Sequence, residues 1–129
     1  MKQRLQRLKS LDGFIAAYVV DAEVGMVLAG EGGCPRLEQM ATESSKALIA
    51  RGDMNQRLGL PDAIEDVLIT LNSQYYLQRP VRSRGTIVVS LFLDRLQANL
   101  ALGRYELSLV ENSFDREPAA LTPVGAAEA

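Results

Sequence analysis

Ile64-Glu65-Asp66-Val67-Leu68-Ile69-Thr70-Leu71, Asn72-Ser73, Gln74-Tyr75-Tyr76-Leu77-Gln78-Arg79-Pro80-Val81, Arg82-Ser83-Arg84-Gly85, Thr86-Ile87-Val88-Val89-Ser90-Leu91-Phe92-Leu93: this continuous stretch decides the fold. In its first run Val67, Ile69 and Leu71 alternate with Leu68 and Thr70, the period-two pattern of a strand over Ile64 to Leu71. Asn72-Ser73 is turn chemistry, and Gln74 to Val81, carrying Tyr75 and Tyr76, reads as the next antiparallel strand. Arg82 to Gly85 is the following turn, and Thr86 to Leu93 is the strand expected at the centre of the sheet.

Upstream, Phe14 to Val20 is an apolar, β-branched and aromatic run too short for a typical helix. Met26 to Ala29 is a second such run after a turn built from Asp21 and Gly25, so the two read as a hairpin. Both alternating faces of Phe14 to Val20 are apolar, which predicts cover on two sides and helices on both faces of the sheet. Gly30-Glu31-Gly32-Gly33 reads as a flexible connection into a helix near Pro35 to Arg51. There Pro35 suits the first turn, and Leu37, Met40, Ala41, Ser44 and Leu48 recur at helical spacing. Gly52, Gly59 and Pro61 then read as interruptions.

At the N-terminus Leu5 and Leu8 share one side of a short helix, leaving Lys2, Arg4, Arg7 and Lys9 to solvent or to an acidic partner. At the other end Asp94-Arg95-Leu96-Gln97 has the spacing of a capping box before a final helix. Leu100, Leu107 and Val110 are expected against the sheet, with Leu102, Tyr105 and Leu109 widening the stripe. Gly103 weakens that helix unless a neighbour packs close to it. Residues 115–129 include Pro118, Pro123 and many small side chains without apolar periodicity, and are expected to be a disordered C-terminal tail beyond a single domain at 1–114. No internal repeat is present. The expected class is α/β (α+β), in the order helix-strand-strand-helix-strand-strand-strand-helix.

The 129 residues are 47% hydrophobic and 23% charged, the composition of an ordinary globular domain large enough to bury a core without staples. With 14 basic and 16 acidic residues the net charge is -2, which gives no broad attraction for nucleic acid or anionic membranes. The chain contains no histidine, so Ser-His and Cys-His nucleophile pairs cannot form, and its single Cys34 cannot close an intrachain disulfide. A metal would need carboxylates alone. No apolar segment is long enough for membrane insertion, and no signal-peptide pattern follows the basic start, so a soluble cytoplasmic protein is expected.

Catalytic patterns are weak throughout. The glycine loop at Gly30 to Gly33 lacks the Lys-Ser or Lys-Thr of a P-loop, and Pro35 stands where a dinucleotide fingerprint needs glycine. Cys34 at a helix start lacks a neighbouring base, and Ser44 and Lys46 are two apart on the helix and diverge. Glu65 and Asp66 point to opposite faces of a strand, as solubilising residues at its edge. No catalytic, cofactor or metal residue is nominated.

One combination of segments nevertheless resembles a known family. Leu11-Asp12-Gly13-Phe14 leads into Ala16-Ala17-Tyr18-Val19-Val20-Asp21 and Gly25. Glu65-Asp66-Val67-Leu68-Ile69-Thr70, Tyr75-Tyr76-Leu77-Gln78-Arg79-Pro80-Val81 and Ala98-Asn99-Leu100-Ala101-Leu102-Gly103-Arg104 follow in order. Together they resemble the roadblock/dynein light chain domain family, over about residues 1–114, and within it the bacterial MglB-like branch. Where that family has an Asp-x-x-Gly turn, three residues separate Asp21 from Gly25 here. The resemblance implies a roadblock/profilin-like, five-stranded antiparallel sheet with the first and last helices on one face and the middle helix on the other. It also implies dimers joined through sheet edges and middle helices. It further implies a non-catalytic regulator, without cofactor, that activates hydrolysis or promotes exchange on a Ras-like GTPase; the alternatives are a passive scaffold or adaptor in a motor or signalling complex, or a small-ligand sensor. Val67, Ile69 and Leu71 are the candidate edge of a homodimer, because an apolar edge strand is otherwise a pairing hazard. Glu38, Thr42, Lys46 and Arg51 on the middle helix are the candidate partner surface.

Overall fold

The structure, a computed structural model, describes residues 1–116. A 3₁₀ helix at Lys2–Ser10 leads into strands β1 (Phe14–Asp21) and β2 (Met26–Gly32) and helix α1 (Pro35–Arg57). Strands β3 (Val67–Thr70), β4 (Gln74–Pro80) and β5 (Ile87–Asp94) follow, then helix α2 (Leu100–Ser113) and a 3₁₀ turn at Phe114–Arg116. The strands form one sheet in the order β2-β1-β5-β4-β3, every pairing antiparallel. β5 lies at its centre and is buried from Ile87 to Leu93, as a strand covered on both faces must be. The expected class and element order are those observed.

Each face has its own core. Ala17, Val19, Leu77 and Leu91 meet the 3₁₀ helix and α2 on one side, while Ala16, Tyr18, Tyr76 and Phe92 meet α1 on the other. Leu5 and Leu8 are both buried, because side chains three apart stack along a 3₁₀ helix, and Leu11, extended just past its end, is buried as well. The basic residues around them, of which Lys2, Arg7 and Lys9 are exposed as expected, are also paired within the chain. Lys2 and Lys9 lie 3.6 and 3.4 Å from the carboxylate of the buried Glu31, and Arg7 pairs with Glu106 at 2.6 Å. The Arg4 guanidinium stacks 4.4 Å above the Phe114 ring and donates to the Ser113 carbonyl at 2.7 Å. These contacts tie the start of the chain to the end of α2.

Several sequence expectations are corrected. Gly30 to Gly33 is no flexible connection, since β2 continues to Gly32. At Gly33, where φ is +79°, a Cβ would collide with the Tyr18 hydroxyl, so glycine is required by close approach and by backbone conformation. α1 does not end at Arg51; it runs through Gly52 to Arg57. The third strand is shorter than Ile64 to Leu71, leaving Glu65, Asp66 and Leu71 outside it. Asp94 caps no helix: its Oδ1 accepts from the Leu96 N–H inside a turn, and the N-cap of α2 is Asn99, which accepts from the Leu102 N–H at 3.1 Å. Leu102 and Tyr105 do not widen the buried stripe but stand 44% and 58% exposed. Of the expected tail, Asp115 and Arg116 lie in the last 3₁₀ turn and 117–129 lie outside the described residues.

Candidate functional site

α1 lies across the sheet on Ala41, Ser45 and Leu48, all buried, with Leu37 partly buried beside them. Its remaining surface divides into two flanks. Glu38, Thr42 and Lys46 recur every four residues on the flank facing the β1–β2 turn, where a Cβ on Gly25 would meet Lys46 Cε at 2.9 Å and Thr42 Cγ2 at 3.7 Å. Thr42 Oγ1 donates to the Glu38 carbonyl, and Lys46 Nζ lies 3.4 Å from Glu43. Arg51 belongs to the opposite flank, where it lines a groove against β3 together with Ser44 and Ala47. The structure therefore brings three of the four candidate partner residues together and sets Arg51 apart.

β3 is an edge of the sheet and pairs only with β4. Val67 and Ile69 oppose Gln78 and Tyr76 in the register, which puts them on the α1 face and in the wall of the groove. Ile69 is 37% exposed. Leu71 lies beyond the strand, where its N–H donates to the Gln74 carbonyl across the turn at 2.8 Å. Two of the three edge candidates thus share a surface with α1, and the third terminates it. The groove has a volume of about 530 Å³.

The segment leading into β3 is fastened from the other face of the sheet. Asp66 accepts two hydrogen bonds from Arg104 of α2, at 2.9 and 3.2 Å, and lies 3.8 Å from Arg79 of β4. The Asp66 carboxylate holds the Arg104 guanidinium above its ordinary pKa, chiefly through these hydrogen bonds. Arg79 in turn donates to the buried Glu111 at 2.9 Å. The sequence marks Asp66 only as a strand-edge residue; its partners lie 13 and 38 positions away, beyond any local pattern.

Beneath α1 the sheet carries polar atoms. The Tyr76 hydroxyl meets Ser90 Oγ at 3.2 Å, and burial pushes the Tyr76 pKa up to about 12. Gln78 is 2% exposed and lines the groove, and its side chain neighbours the Tyr76 hydroxyl, whose ionised form it favours. Sequence reasoning missed Gln78, although a polar residue two positions from Tyr76 on the same strand face was its signal. Elsewhere Cys34 is exposed at the N-cap of α1, and Ser44 and Lys46 occupy opposite flanks. Among the described residues no three cysteine or acidic side chains are grouped to hold a metal, and no helix is long and apolar enough to cross a membrane.

No protein-family model and no curated protein matches the sequence. Solved structures do match. A roadblock/LC7 domain from Streptomyces avermitilis superimposes with a TM-score of 0.76 at 15% identity, over 95% of this chain and 98% of that one. MglB of Myxococcus xanthus gives 0.72 at 14% identity, over 95% and 86% of the two chains. The gliding protein MglB of Thermus thermophilus gives 0.72 at 17% identity, over 88% and 84%. The sheet order, the division of helices between its faces and these near-complete superpositions identify the fold of this chain as the roadblock fold, in the form that roadblock/LC7 domains and MglB proteins share.

Proposed function

We propose that this protein is a non-catalytic, homodimeric regulator of a Ras-like GTPase that changes the partner's hydrolysis or nucleotide release. The observation that carries this reading is the fold likeness to two MglB structures across at least 84% of their length. The edge strand supports a dimer. Val67 and Ile69 present apolar surface beside unpaired backbone, and a second copy adding its own β3 would satisfy those groups and cover that surface. The flank formed by Glu38, Thr42 and Lys46 stays clear of that edge and remains available to the GTPase. With no histidine in the chain and no P-loop motif, the nucleotide and the hydrolytic groups belong to the partner, and this protein acts by binding one switch conformation in preference to the other.

The test uses Ras-like GTPases of the same cell, loaded with GDP or with a GTP analogue. State-selective binding by the purified chain, with altered single-turnover hydrolysis or nucleotide release, is the expected result. Selective binding with unchanged rates would instead identify an adaptor, and no association with any such GTPase would overturn the proposal.

A further inference from the structure

Among the described residues the sheet has two open edges, β2 and β3, and they are built differently. β3 is short and regular, and pairs with β4 residue for residue from Val67 to Thr70. β2 pairs only with β1 and is no less apolar, with Met26 and Leu28 exposed along it. Two open edges on opposite sides of one sheet would let copies add end to end without closing. Three features of β2 oppose this. Its register slips where Val19 faces Ala29 but Val20 faces Val27, so Leu28 is an extra residue, and such a bulge bends and twists an edge away from a straight partner. Its last residue, Gly32, has a φ of +67°, outside the extended region that a ladder requires. The third feature is Glu31, a charged residue turned inward. It opposes Ala17 in the register and so lies on the face covered by the 3₁₀ helix. There Gln6 Nε2 donates to its Oε2 at 2.6 Å, and Lys2 and Lys9 approach its carboxylate at 3.6 and 3.4 Å. Glu31 is buried, while both lysines remain exposed.

We propose that Glu31, held by Gln6, Lys2 and Lys9, locks the β2 edge against a second copy of this chain and leaves β3 as the edge through which copies pair. A strand added to β2 would set its side chains about 5 Å from those of β2 on the same face. It would strip water from the Glu31 carboxylate and from the cations around it, a desolvation that new pairing repays poorly. A second copy's β2 would bring the same ionic cluster with it. The lock is a property of β2 itself; its consequence, assembly that stops at two copies, rests on the β3 dimer proposed above.

The experiment measures light-scattering mass and hydrogen exchange of the full chain carrying Glu31→Val, alone and together with Ile69→Lys, which closes β3. With β3 closed the parent is expected to weigh one chain. Adding Glu31→Val is then expected to double the mass at micromolar concentration and to slow exchange across Met26–Gly32. With β3 open, the same substitution is expected to carry the mass beyond two copies. Should the valine variant lose cooperative unfolding, Glu31→Gln, which keeps the side chain's length and its contact with Gln6, is expected to change the mass in the same direction. A folded Glu31 variant that keeps its parent's mass with β3 closed, or that gains mass without slower exchange in β2, would overturn the lock. An Ile69→Lys parent that still weighs two chains would count instead against the β3 dimer, and the lock would still be read by comparing each Glu31 variant with its own parent.

Discussion

Asp66 and Arg104 meet through two hydrogen bonds, of 2.9 and 3.2 Å, and so connect the entry to edge strand β3 with the helix on the far face of the sheet. Arg79 stands between them and Glu111, 3.8 Å from Asp66 and 2.9 Å from Glu111. Asp66 is 17% exposed and Arg79 15%, so this side of the cluster is sheltered beyond an ordinary surface pair, while Arg104 stays 46% exposed. Asp66→Asn removes the charge that both arginines share. We expect a loss of about 1–2 kcal/mol in chemical denaturation, between the values for exposed and buried pairs. A loss within error of zero would show that Glu111 alone holds Arg79 and that β3 needs no clamp.

Two mid-helix glycines separate what local sequence reveals from what packing decides. Gly52 reads as a breaker, yet α1 continues through it, and a Cβ there would meet nothing within 4 Å. Gly103 reads as a weak point in α2, and there a Cβ would come within 2.9 Å of the buried Leu93 side chain. Gly52→Ala should therefore stabilise by about 1 kcal/mol, the difference in helix propensity, whereas Gly103→Ala forfeits that gain because Leu93 must move. Thermal melts of the two variants check the contrast, and equal shifts would contradict it.

The same division runs through the whole chain. Alternation over Val67 to Leu71 and short apolar or aromatic runs elsewhere between Phe14 and Leu93 disclose all five strands, and short-range chemistry marks the turns. Element ends are harder. β2 reads as ending before Gly30 because its glycines answer to Tyr18, which lies across the hairpin, and α1 reads as ending at Arg51 because Gly52 resembles punctuation. The groove is illegible for a related reason. Arg51 and Gln78 lie 27 positions apart, and only the packing of α1 beside β3 sets them around one groove.

Tyr76 supplies a pH dependence. Burial raises its hydroxyl to about 12 from the ordinary value of 10.0 that applies to the unfolded chain. In the window between those values the unfolded chain has released the proton that the folded chain retains, so stability is complete below about pH 10 and falls as pH rises toward about 12. Burial pushes Tyr18 in the same direction. Denaturation midpoints measured across this range should decline, and Tyr76→Phe should flatten part of the decline while costing Ser90 its hydrogen-bond partner. An unchanged slope in Tyr76→Phe would mean that this hydroxyl ionises freely in the folded protein.

The edge and the flank make separable demands on the proposed regulator. Ile69 is 37% exposed on β3, so a lysine there can reach solvent in a single folded copy, yet it places a charge on the strand that a second copy must cover. Ile69→Lys is expected to leave cooperative unfolding intact and to halve the mass seen by light scattering at micromolar concentration. Lys46 stands instead beside the β1–β2 turn, away from β3, with Glu43 at 3.4 Å. Lys46→Glu turns that pair into like charges, at a cost of a few tenths of a kcal/mol. It should keep the dimer mass while weakening the GTP-loaded partner roughly tenfold, the loss expected when one interfacial charge is reversed. If Lys46→Glu dissociated the dimer, or Ile69→Lys left it whole, the two surfaces would have to exchange roles: the β1–β2 flank would be where copies meet, and β3 would be free to receive the GTPase.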